Sequence, residues 1–336
     1  MNILNKDKPK QCDLSLPNQC MLKCKICNFW KNDILFQDAN WLKAEDYKKL
    51  FYELRKFVDD QFLISFGGGE PLLYVEKLLD IAKTCKDLGF RSYFPTNAYL
   101  IDDAMAKRIA EAGIFSMGIS LDSISRETHD FLRGRDGCWE RAMRAIELLK
   151  KYSPELSINI LTVIMEPNLE GIIDLTKWVY NNSKLDGIVF QAIQKPFNAD
   201  CPDNWYELEE YAGLWPKDSS RVNAVIEELL TLRRTRERAF KISNAVAQLE
   251  LFKLYFNNPG SFVKPNRCHL GDGIIRIDCF GNVMLCSEMD FIGNIKKNDI
   301  CKIWHSRQAG ETRMRISECS KNCYHLVNCY YDGESS

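Results

Sequence analysis

What most limits the fold of this chain is the order of its apolar patterns. Six short apolar runs alternate with longer amphipathic stretches along the first part of the 336 residues. The runs are CDLSL (12–16), QFLISFGG (61–68), RSYFPTN (91–97), FSMGISLD (115–122), LSINILTVIM (156–165) and DGIVFQAI (186–193). Their length and their β-branched and aromatic content read as strands. Helical spacing recurs between them at about 43–58, 74–88, 102–112, 138–152 and 170–182. In the second of these, Val75, Leu78, Leu79, Ile81 and Ala82 form one stripe; in the third, Asp102 caps a helix that ends at Gly113. Strands alternating with helices argue for parallel β/α units. Six units are too few to close an eight-stranded barrel, so the expected fold class is α/β, an open partial (β/α)6 TIM-like barrel.

After the sixth strand, residues 196–217 make a long polar and aromatic loop, at the end of a parallel sheet where such folds place their sites. Two more helices are expected at 219–239 and 243–256, and NNPG (257–260) then breaks the pattern. The expected domains are therefore 1–257 and 258–336. Hydrophobic residues at 46% and charged residues at 27% fit a globular chain and exclude disorder. A net charge of −1 creates no field that would recruit nucleic acid or an anionic membrane, and RRTRER (233–238) reads as a solvated helix face. The N-terminal MNILNKDKPK lacks the apolar core of a signal peptide. No apolar run approaches the roughly 20 residues that cross a bilayer, so a cytoplasmic location is expected.

Fourteen cysteines without a secretion signal point to metal-binding or catalytic thiols rather than disulfides. Three fall at 20–27 and seven at 268–329. Cys20, Cys24 and Cys27 lie in QCMLKCKICNFW (19–30), a C-x3-C-x2-C spacing directly after the first strand. Structural zinc and a fully ligated iron–sulfur cluster both want four ligands. The first of the four histidines is His129, and Cys12 lies on the strand itself. A four-iron cluster held by three thiolates leaves one iron open, and an open position marks a catalytic metal.

This spacing after the first strand of a partial barrel resembles the radical S-adenosylmethionine (SAM) superfamily. The resemblance implies that the open iron binds the amino and carboxylate groups of SAM. Electron transfer then cleaves the cofactor to a 5′-deoxyadenosyl radical, which abstracts a substrate hydrogen atom. Ile26 departs from the aromatic residue usual before the third cysteine. SFGGGEPLL (65–73) suits a tight strand–helix turn and also resembles the family's GGE motif, which implies that Gly68, Gly69 and Glu70 hold the SAM amino group. Asn97 in PTNA (95–98) is a turn cap or a ligand contact. Ser120 in SLD (120–122) and Arg133 in HDFLRG (129–134) match positions that the family places near the SAM ribose and carboxylate. A helix cap and a surface ion pair are their alternatives. Gln191, near the end of the sixth strand, is a further candidate for substrate contact.

At the far end, CHLGDGIIRIDCFGNVMLC (268–286) reads as two short strands around a turn at FGN, with Cys268 and Cys286 at the ends. FIGNIKKNDICKIWHS (291–306) fits a turn and a short helix, and CSKNCYHLVNC gives Cys319, Cys323 and Cys329 as C-x3-C-x5-C. A zinc ribbon, with His325 as an added ligand, fits this region as well. The layout resembles the SPASM/twitch domains, a small cysteine-rich α+β unit of hairpin plus helix. It implies an auxiliary 4Fe-4S cluster on Cys268, Cys286 and two of Cys319, Cys323 and Cys329. Two complete auxiliary clusters need more well-placed cysteines than these, so one is expected. Cys279 and Cys301 read as packing residues, and Cys12, Cys85 and Cys138 as buried ones. Cys201, in the long loop, is a candidate hydrogen-atom donor to a substrate radical.

The implied activity is that of a radical SAM enzyme, an oxidoreductase or maturase. It would act by net oxidation or bond formation on a natural-product small molecule or a ribosomal peptide, fed by an electron donor such as flavodoxin or ferredoxin. Nineteen residues precede Cys20, which leaves no room for an N-terminal leader-binding domain. A redox-neutral epimerase is the alternative within the superfamily. A non-catalytic iron–sulfur redox sensor is the alternative from another class.

Overall fold

Six strands, β1 (Gln11–Ser15), β2 (Leu63–Gly67), β3 (Arg91–Thr96), β4 (Ser116–Ser120), β5 (Ser157–Ile164) and β6 (Gly187–Ala192), pair in parallel in chain order. The structure is a computed structural model and describes residues 8–197, 199–235, 241–260, 268, 270–321 and 327–328. Helices α1 (Ala44–Leu54), α2 (Val75–Asp87), α3 (Asp103–Ala112), α4 (Arg126–Arg133), α5 (Cys138–Tyr152) and α6 (Ile172–Asn181) cross between the strands. α7 (Ser219–Arg234) and α8 (Val246–Asn257) follow them. The α/β class and the open six-unit barrel are as expected.

Burial alternates along β1, β2, β3 and β5. In β5, Ile158, Ile160, Thr162 and Ile164 are buried, while Ser157, Asn159, Leu161 and Val163 are partly open. The same period leaves Asp13, Ser65, Tyr93 and Ser116 on the open face, and the strand register sets them side by side. A strand buried on both faces would be apolar throughout; this alternation belongs to a sheet whose concave face is left for a ligand.

α9 (Leu270–Gly273) leads into β7 (Ile274–Ile277), which pairs in parallel with β1. β8 (Asn282–Met284) and β9 (Gly293–Asn294) then add antiparallel, giving a nine-stranded sheet. The C-terminal hairpin forms where expected and continues the barrel sheet. Its turn needs Gly281 at φ +88, and the Asp278 carboxylate accepts the N–H groups of Phe280 and Asn282, each at 2.9 Å. α10 (Ile300–Trp304) and α11 (Arg307–Ser317) pack behind it, with the Arg313 guanidinium 4.1 Å over the Trp304 ring.

At the other edge, among the described residues, β6 has no strand on its outer side but its outward backbone groups are filled. The Ile188 N–H donates to the Lys241 carbonyl at 2.7 Å, and its carbonyl accepts from Ser243 N–H at 2.9 Å. The Asn244 side chain exchanges two bonds with Phe190, and the Asn328 side chain two with Ala192. Side-chain amides thus stand in for a tenth strand and blunt the edge.

Three elements differ from expectation. The 196–217 loop is not mainly polar in its packing: Trp205, Tyr211 and Trp215 are buried and stack with Tyr206, Tyr255 and Phe256. Its aromatic residues carry more burial energy than its carboxylates cost, because the latter reach solvent. α4 is a helix too short for periodicity to reveal, fixed by the Ser125 hydroxyl at its start and by Gly134 at φ +66 after its end. α11 was also unmarked by a clear stripe. Among the described residues no helix is long and apolar enough to cross a membrane.

Candidate active site at the cysteine loop

After β1 the Pro17 carbonyl accepts the Gln19 N–H at 2.8 Å, and the segment that follows meets the loops at the C-terminal ends of β2 and β3. Two neighbouring loops fix its course by close backbone approach. A Cβ on Gly68 would lie 2.5 Å from the Leu16 carbonyl oxygen, and one on Gly69 would lie 1.9 Å from that of Gln19. The Glu70 N–H donates to the Gln19 carbonyl at 2.8 Å. On the other side the Lys25 N–H donates to the Leu132 carbonyl at 2.9 Å, and a Cβ on Gly134 would lie 2.0 Å from the Lys23 carbonyl oxygen. The glycines that resembled ligand contacts therefore have a packing role that spacing alone did not reveal. They let two loops grip the cysteine loop.

Within that grip Cys20, Cys24 and Cys27 are half-buried and near enough for each charge to be felt by the others. Burial first, and then the neighbouring thiols, push Cys20 up to about 12 and Cys27 to about 11. Among the described residues no three His, Cys, Asp or Glu side chains converge tightly enough to hold a single metal ion. The loop is also tied to the end of β6. Cys27 bridges Phe197, and the Asn28 N–H donates to the Phe197 carbonyl at 3.0 Å.

Glu70 is 2% exposed. Its Oε1 accepts the Leu72 N–H at 3.1 Å and the Thr96 hydroxyl at 2.8 Å; its Oε2 accepts the Asn97 N–H at 2.9 Å. A carboxylate offers about four acceptor positions, so one on Oε2 is left for a donor such as an ammonium. Burial raises its pKa, against the pull of those three bonds. Asn97 is buried and turns its Nδ2 to Cys20 Sγ at 3.7 Å and to Met21 Sδ at 3.5 Å. Its Oδ1 accepts the Tyr99 N–H, so it caps a turn and meets a thiol at once.

Arg133 does not sit at the surface. It pairs with the buried Asp122 at 2.8 Å and reaches the Cys24 thiol. Burial works against its charge, but Asp122 and Cys24 outweigh it and hold the guanidinium protonated. Its Nε is buried with no protein partner. Ser120 ends β4 on the partly open face, and Gln191 is exposed on β6. Cys201 lies among Lys195, Asp200, Glu210 and Tyr211.

At the second cysteine group, burial first and then the nearby Cys268 and Glu288 raise the Cys286 pKa, and Arg276 of β7, also near, opposes them. The Arg276 Nε also lies 3.6 Å from Asp13 on the concave face of β1. Lys321, two residues after Cys319, pairs with Glu288, two after Cys286, at 3.7 Å. Cys279 lies instead near Tyr47, Tyr74 and Lys77, and Cys301 places its Sγ 3.5 Å from His305 Nδ1. Cys12, Cys85 and Cys138 are fully buried, as expected. Cys323, Cys329 and His325 lie outside the described residues.

Residues 14–179 match the model of the radical SAM superfamily. The chain carries a radical SAM domain. It is an enzyme of the class that the cysteine loop resembled, and the family implies a 4Fe-4S cluster and SAM. Over 142 residues it is 37% identical to the Fe-coproporphyrin III synthase of Methanosarcina barkeri, a match covering 42% of this chain and 34% of that protein. The chain thus spans about a third of that relative's length. It is 25% identical over 268 residues to the AdoMet-dependent heme synthase of the same organism, covering 76% of this chain and 73% of the relative. The crystal structure of Streptococcus suis SuiB bound to S-adenosylmethionine superposes with a TM-score of 0.69 at 17% identity, over 95% of this chain and 74% of that one. That likeness is one of fold.

Proposed function

We propose that this radical SAM enzyme holds its 4Fe-4S cluster on Cys20, Cys24 and Cys27, and carries one auxiliary cluster in a second domain spanning 258–336. The observation that carries the reading is that all three thiols lie in one loop, gripped from both sides by backbone approach at Gly69 and Gly134. The donor set fits a cluster with one open iron: three sulfurs, with an amide N–H from Asn97 turned to one of them. When bound, the cluster supplies the electron that cleaves SAM to the hydrogen-abstracting radical.

The chain's own residues bind and orient the cofactor. Gly68 and Gly69 bring backbone to the site, and the remaining acceptor position on Glu70 Oε2 takes the SAM amino group. Arg133 has an unpartnered Nε for the cofactor's carboxylate, and its pairing with Asp122 fixes the side chain. Ser120 lies on the open face within the same mouth.

In the second domain, Cys268 and Cys286, with two of Cys319, Cys323 and Cys329, hold the auxiliary cluster. The approach of Cys268 to Cys286 supports this, as does the Lys321–Glu288 pair that brings the Cys319 segment alongside. The substrate is a small molecule or a peptide that undergoes net oxidation or bond formation. Sequence relatives named for heme synthesis favour the small molecule.

Iron counting tests the assignment. Protein reconstituted without oxygen should bind about eight irons, and a Cys20/Cys24/Cys27 triple alanine variant about four. Equal iron in the two proteins contradicts the N-terminal cluster.

A further inference from the structure

The concave face carries polar groups that the cofactor chemistry does not use. Its charged groups are paired with one another. Asp13 on β1 accepts from the Gln11 side-chain amide, and Arg276 on β7 brings its Nε to 3.6 Å from the same carboxylate. Its neutral groups are not. Tyr93 on β3 and Asn159 on β5 are half-buried on this face, and among the described residues neither side chain makes a hydrogen bond to the protein. The two meet at Gly118 of β4. A Cβ there would lie 2.5 Å from the Tyr93 hydroxyl oxygen and 2.6 Å from Leu161 Cδ1, and the strand register sets Gly118 directly beside Asn159. Glycine at 118 therefore lets the phenol lean across β4 until its hydroxyl ends next to the amide. At the same level on β2, two residues beyond the Ser65–Tyr93–Ser116 row, a Cβ on Gly67 would meet nothing within 4 Å. Open space thus lies on the face that bears the two unpaired groups.

We propose that Tyr93 and Asn159 determine substrate specificity, selecting an uncharged group that both accepts and donates hydrogen bonds, an amide or a hydroxyl. The proposal deepens the function proposed above and rests on it, because it takes the concave face as the seat of the substrate. Burial, and then the nearby Asp13, push the Tyr93 phenol up to about 12, so at neutral pH it is a donor. The Asn159 amide offers an acceptor and a donor beside it. A carboxylate or an ammonium would give up its hydration here for no free opposite charge, since Asp13 and Arg276 already hold each other. An apolar group would strand both polar side chains, which is how a site built to hydrogen-bond rejects the analogue that lacks the bond. An amide or a hydroxyl satisfies both. Ser120 lies two residues beyond Gly118 on β4, so the selected group sits about 7 Å deeper than the proposed cofactor contact.

The test uses benzamide, benzoate and benzylamine, which share a ring and differ in the charge of the head group. Ligand-observed NMR on the reconstituted full chain at pH 7 reads the affinity of each. Wild type should bind benzamide about tenfold or more tightly than either charged probe. Tyr93→Phe should weaken benzamide by about tenfold. It removes one oxygen that has no protein partner, so its thermal unfolding should match wild type and the loss is not one of folding. Gly67→Leu fills the open space and should abolish benzamide binding while keeping wild-type iron. A charged probe bound as tightly as benzamide overturns the proposal. So does wild type that binds no benzamide, or either variant binding it as wild type does. The two readings fail separately. A fully loaded protein with the wrong probe preference removes only this site, whereas equal iron in wild type and the triple cysteine variant removes the cluster assignment itself.

Discussion

The carboxylate of Glu70 accepts the backbone N–H of Asn97 at 2.9 Å, which joins the end of β2 to the residue that faces Cys20. All three of its bonds come from donors, two on Oε1 and one on Oε2. In Glu70→Gln one amide N–H must face a donor, whichever way the side chain turns. The variant should lose about 1–3 kcal/mol of stability by denaturant unfolding. If Oε2 also takes the SAM amino group, equilibrium dialysis should show weaker SAM binding in the folded fraction. Unchanged stability would place the carboxylate elsewhere than described.

Gly69 and Gly67 make a matched pair. A Cβ on Gly69 meets the Gln19 carbonyl oxygen at 1.9 Å, while one on Gly67 meets nothing within 4 Å. Gly69→Ala should displace the start of the cysteine loop, costing at least about 2 kcal/mol. It should also lower iron content to that of the triple cysteine variant. Gly67→Ala should change stability by less than about 1 kcal/mol and keep its iron. Thermal unfolding and iron assay on both proteins check this.

Asp122 and Arg133 are buried together, 2.8 Å apart, and Asp122 also accepts the Val163 N–H. Removing one partner strands the other's charge. Asp122→Ala should cost about 3–5 kcal/mol. A loss below about 1 kcal/mol by urea unfolding would mean that the pair is solvated.

His129 is 1% exposed and its Nδ1 accepts the Asp122 N–H at 3.1 Å, so it is held neutral. Burial, reinforced by Arg133, lowers its pKa from 6.5 to about 2. The unfolded chain therefore binds a proton below pH 6.5 that the folded chain refuses, and stability falls as pH drops through that value. From pH 6.5 to 5 the loss from this residue should be roughly 1.6 kcal/mol. His129→Asn keeps an acceptor without the titration, and its stability should lack that part of the slope.

Much of the fold was legible because strand and helix periods alternate so regularly. All six strands lie within two residues of where the apolar runs put them. The cysteine spacing also marked the site before any geometry. What stayed hidden depends on contacts distant in sequence. Nothing in GGGE tells that Gly69 must clear Gln19, or that Glu70 reaches Thr96 and Asn97. Arg133 read equally as a surface ion pair, since its burial comes from Asp122 across a turn. Trp215 looked like a loop residue because its partners, Tyr255 and Phe256, lie some forty positions on, and Trp205 packs on it in turn.

The most direct measurement is SAM cleavage by the reconstituted protein. Incubated without oxygen with SAM and dithionite, the wild type should form 5′-deoxyadenosine even without substrate, and the Cys20/Cys24/Cys27 triple alanine variant should form none. A wild-type protein with a full iron complement that leaves SAM intact would contradict the account.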